Sequence, residues 1–405
     1  MMGNLTGRTF VAFIATLLLA PPAVLHAADD ARELWAPSAI LPKTAEIPVL
    51  EGVRFSVIKP YEYRKDGYRF LHGVALAWHR GRLFASFAHN KGVENTDTEE
   101  ARWCVSYDEG RTWSLVSTID RGAEPGASVS HGVFLAHQNR LWAFQGAFSG
   151  FLGKLHTRAY RFNDAKNTWE SLGTVIEDRF WPCQEPVRMD DGNWIMSGFR
   201  VGVTGEENSQ PAAVAFSHGD DFMRWHVVPI RASASKDLWG ESTVFLSGNH
   251  AVNISRYGAE ARALMAVSED YGRTWNRSLP SNLPMTTSKP YAGTLSTGRH
   301  YLICTTTADS GKRRSPLTIA VTRPGEKVFS KVFVIRHAEF LAGPGESHRD
   351  AALAYPYAVE HDGHLYVGYS NNGGNVGRVG AGRELANNNS AELAVIPIQS
   401  LGKEP

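Results

Sequence analysis

Histidine, arginine, glutamate and tyrosine residues recur next to short apolar segments along this 405-residue sequence. Histidine titrates near neutral pH and can give or take a proton, and arginine binds a carboxylate through two parallel hydrogen bonds. These residue types together suit a ligand that carries a carboxylate. The candidate catalytic residues are His72, His89, His131, Tyr291 and Tyr355, and the candidate substrate-binding residues are Asn90, Glu185, Arg200, Glu241, Arg256, Arg349 and Asn371.

Each of these residues also has a structural interpretation. A single histidine such as His72 can terminate a strand, the two glutamates can accept hydrogen bonds from buried amides, and the arginines can pair with those glutamates. His72, His89 and His131 can also be read as a three-nitrogen metal site. No spacing in the chain matches a zinc or haem motif, so we expect neither a metal nor another cofactor.

Alternating apolar and polar residues predict antiparallel strand pairs that recur roughly every 50–60 residues. Six such units predict an all-β, six-bladed β-propeller, with seven blades as the alternative. The innermost strand of a blade starts at the face to which the second strand returns, so polar residues at those two places face one axial pocket. Val53–Ile58 is a spare strand that can complete the last unit, which ends with Glu392–Pro397.

The amino-terminal residues have the pattern of a secretory signal peptide. Arg8 precedes the apolar run Phe10–Ala20, and Leu25-His26-Ala27 predicts cleavage after Ala27. We therefore expect export to the periplasm or the medium. The predicted organisation is a signal peptide at 1–27, an extended lead-in at 28–50 and one propeller domain at 51–400.

The overall charge limits the partners that we expect, and the cysteine content limits the roles that we expect for the thiols. A formal net charge of +1 gives no reason to expect nucleic acid or a membrane surface as partner. We expect a monomer that binds an acidic oligo- or polysaccharide. The cysteines Cys104, Cys183 and Cys304 are an odd set, and we expect them to be buried in the blades as small apolar residues.

One eight-residue turn sequence recurs in the chain. SYDEGRTW at Ser106–Trp113 returns as SEDYGRTW at Ser268–Trp275, and a degenerate copy lies at Ser217–Trp225. These turns resemble the Asp box of the sialidase-like β-propellers. The resemblance implies a propeller in which the boxes lie on the face opposite the active site.

Two further stretches resemble the sialidase repeat domain, and with the boxes the resemblance covers about residues 50–400. QEP at 184–186 precedes DGNWIMSGFR at 191–200, and AYPYA at 354–358 precedes DGHLYVGYS at 362–370. In that family three arginines bind the sialate carboxylate, a tyrosine assisted by glutamate is the nucleophile, and an aspartate on a loop is the acid and base. The chain lacks the Phe-Arg-Ile-Pro-type motif that supplies the first arginine, and it has His72 at that place.

The first blade resembles the propeller polysaccharide lyases, of the ulvan and rhamnosyl-glucuronate type. LHGVA at 71–75, FAHN at 87–90 and ENT at 94–96 carry this resemblance. It implies β-elimination at a glucuronate, with His72 and His89 as the central pair and Asn90 on the carboxylate. His131 and Tyr291 are then the candidate proton donors.

The sequence favours such a lyase, with release of a terminal rhamnose as one form of the reaction. An exo-sialidase or related glycosidase that uses Tyr355, Glu241 and the arginines is the alternative. A glycan-binding propeller without catalysis is a third hypothesis, because a fold does not determine a function.

Overall fold

The computed structural model contains six antiparallel sheets, which are the six blades of a β-propeller. It describes residue 1 and residues 32–122, 126–202, 209–232, 238–339, 351–372 and 389–402. The predicted signal peptide and the candidate residue Arg349 lie outside these ranges. No helix in the described ranges is both long and apolar enough to span a membrane.

In blades 1 to 5 the strands follow one another across the sheet in chain order, whereas in blade 6 the first strand of the chain pairs with the last. Blade 1 contains Phe70–His79, Arg82–Asn90, Glu99–Ser106 and Ser117–Asp120. Blade 2 contains Ala127–His137, Arg140–Ser149, Gly153–Asn163 and Thr168–Ile176. Blade 3 contains Phe180–Pro182 with Val187–Arg188, then Trp194–Arg200, Ala212–Phe216 and His226–Pro229. Blade 4 contains Ser242–Ser247, His250–Ser255, Arg262–Ser268 and Leu279–Pro284; blade 5 contains Tyr291–Thr294, His300–Cys304, Leu317–Thr322 and Phe329–Arg336; blade 6 contains Ala352–His361, His364–Asn372, Asn389–Pro397 and Arg54–Lys59.

Three short helices and one short parallel strand pair complete the described secondary structure. The strands Ser209–Gln210 and Leu238–Trp239 pair with each other. The helices are Thr44–Glu46, Tyr63–Asp66 and Ile398–Leu401.

The first and last strands close the propeller. Arg54–Lys59 pairs antiparallel with Asn389–Pro397, so that Ser56 lies opposite Leu393. This pairing covers an edge of the last blade that would otherwise expose unpaired backbone groups. The predicted six blades and their closure by the spare strand are confirmed.

The lead-in packs against the outer strand of blade 5. Trp35 bridges Phe329, and Val49 bridges Val334, both in parallel. Leu34 is fully buried in the same apolar cluster. The segment predicted as extended thus covers the outer edge of one blade.

Aromatic side chains fill the space between blades 1 and 2. The rings of Phe84 and Trp103 lie 5.7 Å apart, and those of Phe134 and Trp169 lie 5.5 Å apart. Trp103 also meets Phe162 edge to face at 5.3 Å. These aromatic residues pack blades together, and offset and edge-to-face contacts are the arrangements that aromatic pairs prefer.

All three cysteines are buried, as predicted, and all three are free. Burial raises the pKa of each thiol. The thiols of Cys104, Cys183 and Cys304 therefore behave as small apolar groups rather than as nucleophiles.

The two complete copies of the recurring turn have the same hydrogen bonds. In the first, Asp108 accepts bonds from Thr112 N at 2.8 Å and from Thr112 Oγ1 at 2.7 Å, while Ser106 Oγ accepts one from Gly110 N. Ser106 pairs with Leu83 near the beginning of the strand Arg82–Asn90. His72 pairs with Ala88 near the end of the same strand. The turn therefore stabilises the end of the blade that is remote from His72.

We predict that Asp108→Ala lowers the free energy of unfolding by about 1 kcal/mol or more, because two donors in the turn lose their acceptor. Thermal and urea unfolding measure this change. Glu109→Ala is the matched control, since Glu109 lies in the same turn and bonds there to the exposed Arg111. Equal stability of the two variants would contradict this account of the turn.

Candidate functional site

A pocket of about 240 Å³ opens where the innermost strands begin. It brings together five of the predicted site residues, which are His72, His131, Glu241, Arg256 and Tyr355. The other lining residues are Glu94, Asn95, Leu152, Trp181, Phe199, Trp239 and Arg314. Ionisable groups thus face aromatic and apolar side chains across a small cavity.

Three neighbouring innermost strands carry an irregularity at the same place. The pairing register shifts between Ala354 and Tyr357, between His72 and Ala75, and between Val129 and Gly132. A β-bulge of this kind redirects side chains at the rim of a sheet. The bulges of blades 6, 1 and 2 thereby bring Tyr355, His72 and His131 to one wall of the pocket.

These three rings pack against one another. The ring centroid of Tyr355 lies 3.6 Å from that of His72 and 5.6 Å from that of His131. Gly73 allows this approach, because a Cβ atom there would lie 2.2 Å from His131 Cγ, and its φ of +67° suits glycine.

A buried ion pair faces this wall. Arg256 Nη1 donates to Glu241 Oε2 at 2.5 Å and to the Tyr355 hydroxyl at 3.3 Å. Burial alone would lower the pKa of Arg256, but Glu241 and Tyr355 raise it above its ordinary value. Burial and the nearby Glu241 carboxylate hold the pKa of Tyr355 well above its usual range. Tyr355 is therefore protonated at neutral pH. Its oxygen can act as a nucleophile only if a base takes the proton.

Arg314 is the second arginine of the pocket. Its Nη2 donates to Thr287 O at 3.0 Å, and its guanidinium carbon lies 5.9 Å from the ring centroid of Tyr355. Within the described ranges Arg314 lies in no ion pair at 4.0 Å or less, and its charge lowers the pKa of nearby Glu94, against the larger effects that raise it. A guanidinium in this situation can bind the carboxylate of a ligand.

Glu94 lines the pocket from the segment between the second and third strands of blade 1. Glu94 is exposed at the mouth of the pocket, but the protein around it, followed by the charges of Glu99 and Glu241, raises its pKa to about 7. A carboxylic acid with this pKa keeps its proton in part at neutral pH and can give it to a leaving group.

The two pocket histidines are neutral at physiological pH. Burial is the main cause for both, and it lowers the pKa of His131 to about 3, with a smaller effect from Lys289. It lowers the pKa of His72 well below the ordinary value, with a further effect from His131. Neutral imidazoles act in this pocket as hydrogen-bonding groups.

Residues 118–367 match the model of a family described as the BNR repeat-like domain. The chain belongs to this family. No curated protein sequence matches the chain.

Solved structures with this BNR-type propeller include two sialidases. The Hadza microbial sialidase Hz136 is 12% identical with a TM-score of 0.64, over 85% of this chain and 69% of that one. Trypanosoma rangeli sialidase in complex with the inhibitor DANA is 14% identical with a TM-score of 0.61, over 87% of this chain and 61% of that one. A Dyadobacter fermentans protein of unknown function is 16% identical with a TM-score of 0.61, over 86% of this chain and all of that one. At these identities the similarity shows a common fold.

Two predicted residues of blade 1 lie outside the pocket lining of this BNR propeller. His89 stacks on Tyr68 with ring centroids 4.0 Å apart. Asn90 donates to Val93 O at 2.7 Å and so holds the segment that carries Glu94. The structure therefore does not bring His72 and His89 together in this pocket.

The remaining predicted residues have partners elsewhere. Tyr291 donates to Glu185, with oxygens 2.6 Å apart, and burial raises the pKa of Glu185. Arg200 donates to Asp178 at 2.5 Å, and Asn371 donates to Glu392 at 2.9 Å. The structure does not bring these four residues to the described lining of the pocket, because Tyr291 and Glu185 bond to each other between blades 5 and 3 and the other two bond to acidic residues of their own blade or beside it. Among the described residues, no group of three His, Cys, Asp or Glu side chains is placed to hold a metal ion.

Sequence reasoning did not select several lining residues. Glu94 belongs to the ENT stretch of blade 1, which contributes to the lyase resemblance but gives this glutamate no role. Arg314 lies in a connection without periodicity, and Trp181 and Trp239 resemble packing residues. Of these residues, Trp239 lies two positions before the predicted site residue Glu241. This proximity was the one feature of the sequence that could have indicated Trp239.

We predict that Gly73→Ala disrupts the ring cluster. The new Cβ would overlap His131 at a backbone conformation that L-residues disfavour, so we expect a loss of stability well above 1 kcal/mol. Gly67→Ala is the matched control, since Gly67 has a φ of +76° and no neighbouring atom within 4 Å of an added Cβ. Thermal unfolding compares the two variants, and equal losses would contradict close packing at Gly73.

Proposed function

We propose that the protein is a carbohydrate-active hydrolase that removes a terminal acidic sugar, with Tyr355 as the nucleophile. The observation that carries this proposal is the meeting of Tyr355 and Glu241 at one nitrogen of Arg256. A phenol and a carboxylate that contact the same guanidinium are suited to nucleophilic attack by tyrosine. In accordance with the signal sequence, we propose that it acts outside the cytoplasm.

Tyr355, Glu241 and Glu94 supply the groups for a two-step displacement. In the first step the Tyr355 oxygen bonds to the anomeric carbon while its proton passes to Glu241. The bond to the leaving oxygen breaks as Glu94 gives that oxygen its proton. Water then attacks the anomeric carbon, giving a proton to Glu94, and the Tyr355 oxygen leaves and regains its proton from Glu241.

The size and charge of the pocket support a terminal, anionic sugar. A volume of about 240 Å³ is smaller than the roughly 300–1,000 Å³ of pockets for drug-sized ligands. Such a cavity suits one sugar ring rather than a long glycan segment. Arg314 can neutralise a carboxylate on that ring, while Trp181 and Trp239 offer aromatic surfaces for its apolar face.

The names of two structural neighbours support the same class of substrate. Both Hz136 and the Trypanosoma rangeli protein are named sialidases. The sequence resemblance puts His72 at the place for which that family uses its first arginine. We therefore include uronic acids beside sialic acids in the proposed class.

The lyase hypothesis from the sequence is the alternative that experiments need to separate. An eliminating enzyme needs a base for the proton at C5 of a uronate. With a pKa of about 3, His131 is a weak base at neutral pH, and His89 lies outside the pocket. The geometry therefore favours displacement by Tyr355 over elimination by a histidine pair.

We predict that Tyr355→Phe lowers kcat about 10³-fold or more, because the attacking oxygen is removed. The assay incubates the purified protein with sialyl-oligosaccharides and with glucuronate-terminated oligosaccharides, and it measures free acidic sugar and ultraviolet absorbance. Tyr291→Phe is the control, since Tyr291 bonds to Glu185 away from the pocket. Formation of an unsaturated uronate would show a lyase instead, and binding without turnover would show a glycan-binding propeller.

We predict that activity falls as the pH rises through about 7. Glu94 acts while protonated, and its proton is lost as the pH passes its raised pKa. A pH profile of kcat/KM should therefore show an alkaline limb near this value. Glu94→Gln should remove that limb and lower the rate about 10²–10⁴-fold; a limb that survives in this variant would contradict the role of Glu94.

A further inference from the structure

A buried lysine lies beside the pocket and has no part in the reaction proposed above. Lys289 lies two residues before Tyr291, where the innermost strand of blade 5 begins, and 3% of it is exposed. Its Nζ donates to Cys183 O at 3.0 Å and to Pro356 O at 3.3 Å. From the connection between blades 4 and 5, this side chain thus bonds to the backbone of blades 3 and 6.

One of its two acceptors belongs to the bulge that carries the proposed nucleophile. The pairing register of this strand shifts between Ala354 and Tyr357. Tyr355 and Pro356 lie between them and have no opposite residue in the neighbouring strand. Tyr355 has a φ of +53°, a conformation that a bulky residue keeps only where its surroundings impose it. The bond from Lys289 to the next carbonyl group is one such constraint.

The other acceptor lies at an irregularity in the innermost strand of blade 3. The N–H groups of Cys183 and Gln184 donate to the same atom, Ser197 O, at 2.8 Å and 3.2 Å. Two residues therefore share one acceptor of the neighbouring strand. Cys183 packs in the same apolar cluster as Trp181, which lines the pocket. The lysine therefore joins the bulge of blade 6 to the strand that supplies an aromatic wall of the pocket.

The two hydrogen bonds are independent of the charge of Lys289. Burial lowers the pKa of Lys289, while Cys183 and then Glu241 oppose this effect. An ammonium group has three N–H bonds and a neutral amine has two, so either form can donate to both carbonyl groups. Lys289 is not in the described lining of the pocket, and its Nζ lies 6.0 Å from the ring centroid of Tyr355. Its contacts are therefore with backbone and not with the reacting atoms.

We propose that Lys289 is a positioning residue that holds the Tyr355 bulge in place through its two carbonyl partners. The functional part of this inference rests on the proposed hydrolase. The bond from Arg256 holds the hydroxyl end of Tyr355, whereas Lys289 holds the adjoining backbone. Both ends must be held for the oxygen to reach an anomeric carbon, and a displacement of about 1 Å can lower a rate about 10²-fold.

Lys289→Met keeps a side chain of similar length and removes its donors. We expect kcat to fall about 10²-fold with KM nearly unchanged, because the groups that bind the sugar stay in place. Steady-state kinetics with the acidic oligosaccharide that the protein cleaves measure both constants. An unchanged kcat, or a raised KM alone, would overturn the positioning role.

Lys59→Met is the matched control. Lys59 is also buried, with 7% exposed, and donates to a backbone carbonyl group, Pro60 O, at 2.6 Å. It lies on the outer strand of blade 6, so Lys59→Met should lower the thermal stability and leave kcat unchanged. An equal fall of kcat in both variants would show a general effect of losing a buried lysine and would overturn the proposal.

The position of the Tyr355 ring can be measured without substrate. The full chain is labelled with ¹³C in the histidine rings, and His72→Gln and His300→Gln each identify one signal by its loss. The His72 ring lies 3.6 Å from that of Tyr355, so movement of Tyr355 changes the chemical shifts of His72. At pH 8 we expect this change in Lys289→Met and none at His300, which stacks on Phe245 at 4.3 Å. Unchanged His72 shifts, or equal changes at both rings, would overturn the proposal.

Lys289→Gln decides the question if Lys289→Met does not fold. Its amide nitrogen ends one bond short of the lysine nitrogen, so we expect a smaller fall of kcat and a smaller change at His72. A folded Lys289→Gln protein with the kcat and His72 shifts of the unsubstituted protein would overturn the proposal. Full activity in Tyr355→Phe would overturn the hydrolase mechanism instead, while the ring spectra would still show whether Lys289 holds Tyr355. The two proposals therefore fail separately.

Discussion

The contact between Arg256 and Glu241 is the interaction on which the pocket depends. Each side chain carries a charge that would be costly to bury alone, and removing one partner of such a pair typically costs about 3–5 kcal/mol. Their pairing permits a guanidinium to lie 3.3 Å from the Tyr355 hydroxyl in the interior. The pair also affects its neighbours: desolvation by the surrounding protein is the main cause of the raised pKa of Tyr355 and of Glu94, and the charge of Glu241 adds to it in both.

The propeller supplies the geometry that this charge pattern needs. Glu241 and Arg256 come from the beginning of one innermost strand and the end of its partner in blade 4, while bulges in three other blades provide the facing rings. Tyr355 has a φ of +53°, a conformation that costs a bulky residue of order 1–3 kcal/mol. Such strain persists where packing determines the conformation, and here the rings of His72 and His131 pack directly on Tyr355.

Much of this arrangement could be predicted from sequence, because it follows from periodic features. The recurring turns and strand pairs predicted six blades, and the positions of the innermost strands led to His72, His131, Glu241 and Tyr355. Successive side chains of a strand point to opposite faces of the sheet, and His89 is one position out of phase with His72. Ala88 pairs with His72 while His89 pairs with Leu71, so His89 lies on the other face of the sheet.

Glu94 and Arg314 lie in connections between strands, where no period predicts the direction of a side chain. The fold was therefore predictable from local repetition. The complete site was not, since it depends on loop paths and on contacts between different blades.

Covalent trapping tests the role of Tyr355 most directly. The protein would be incubated with 2,3-difluorosialic acid and, separately, with 2-deoxy-2-fluoroglucuronyl fluoride, and the modified peptide would be identified by mass spectrometry. We expect a glycosyl adduct on Tyr355 that is absent from Tyr355→Phe. An adduct on another residue would contradict the assignment of Tyr355 as the nucleophile.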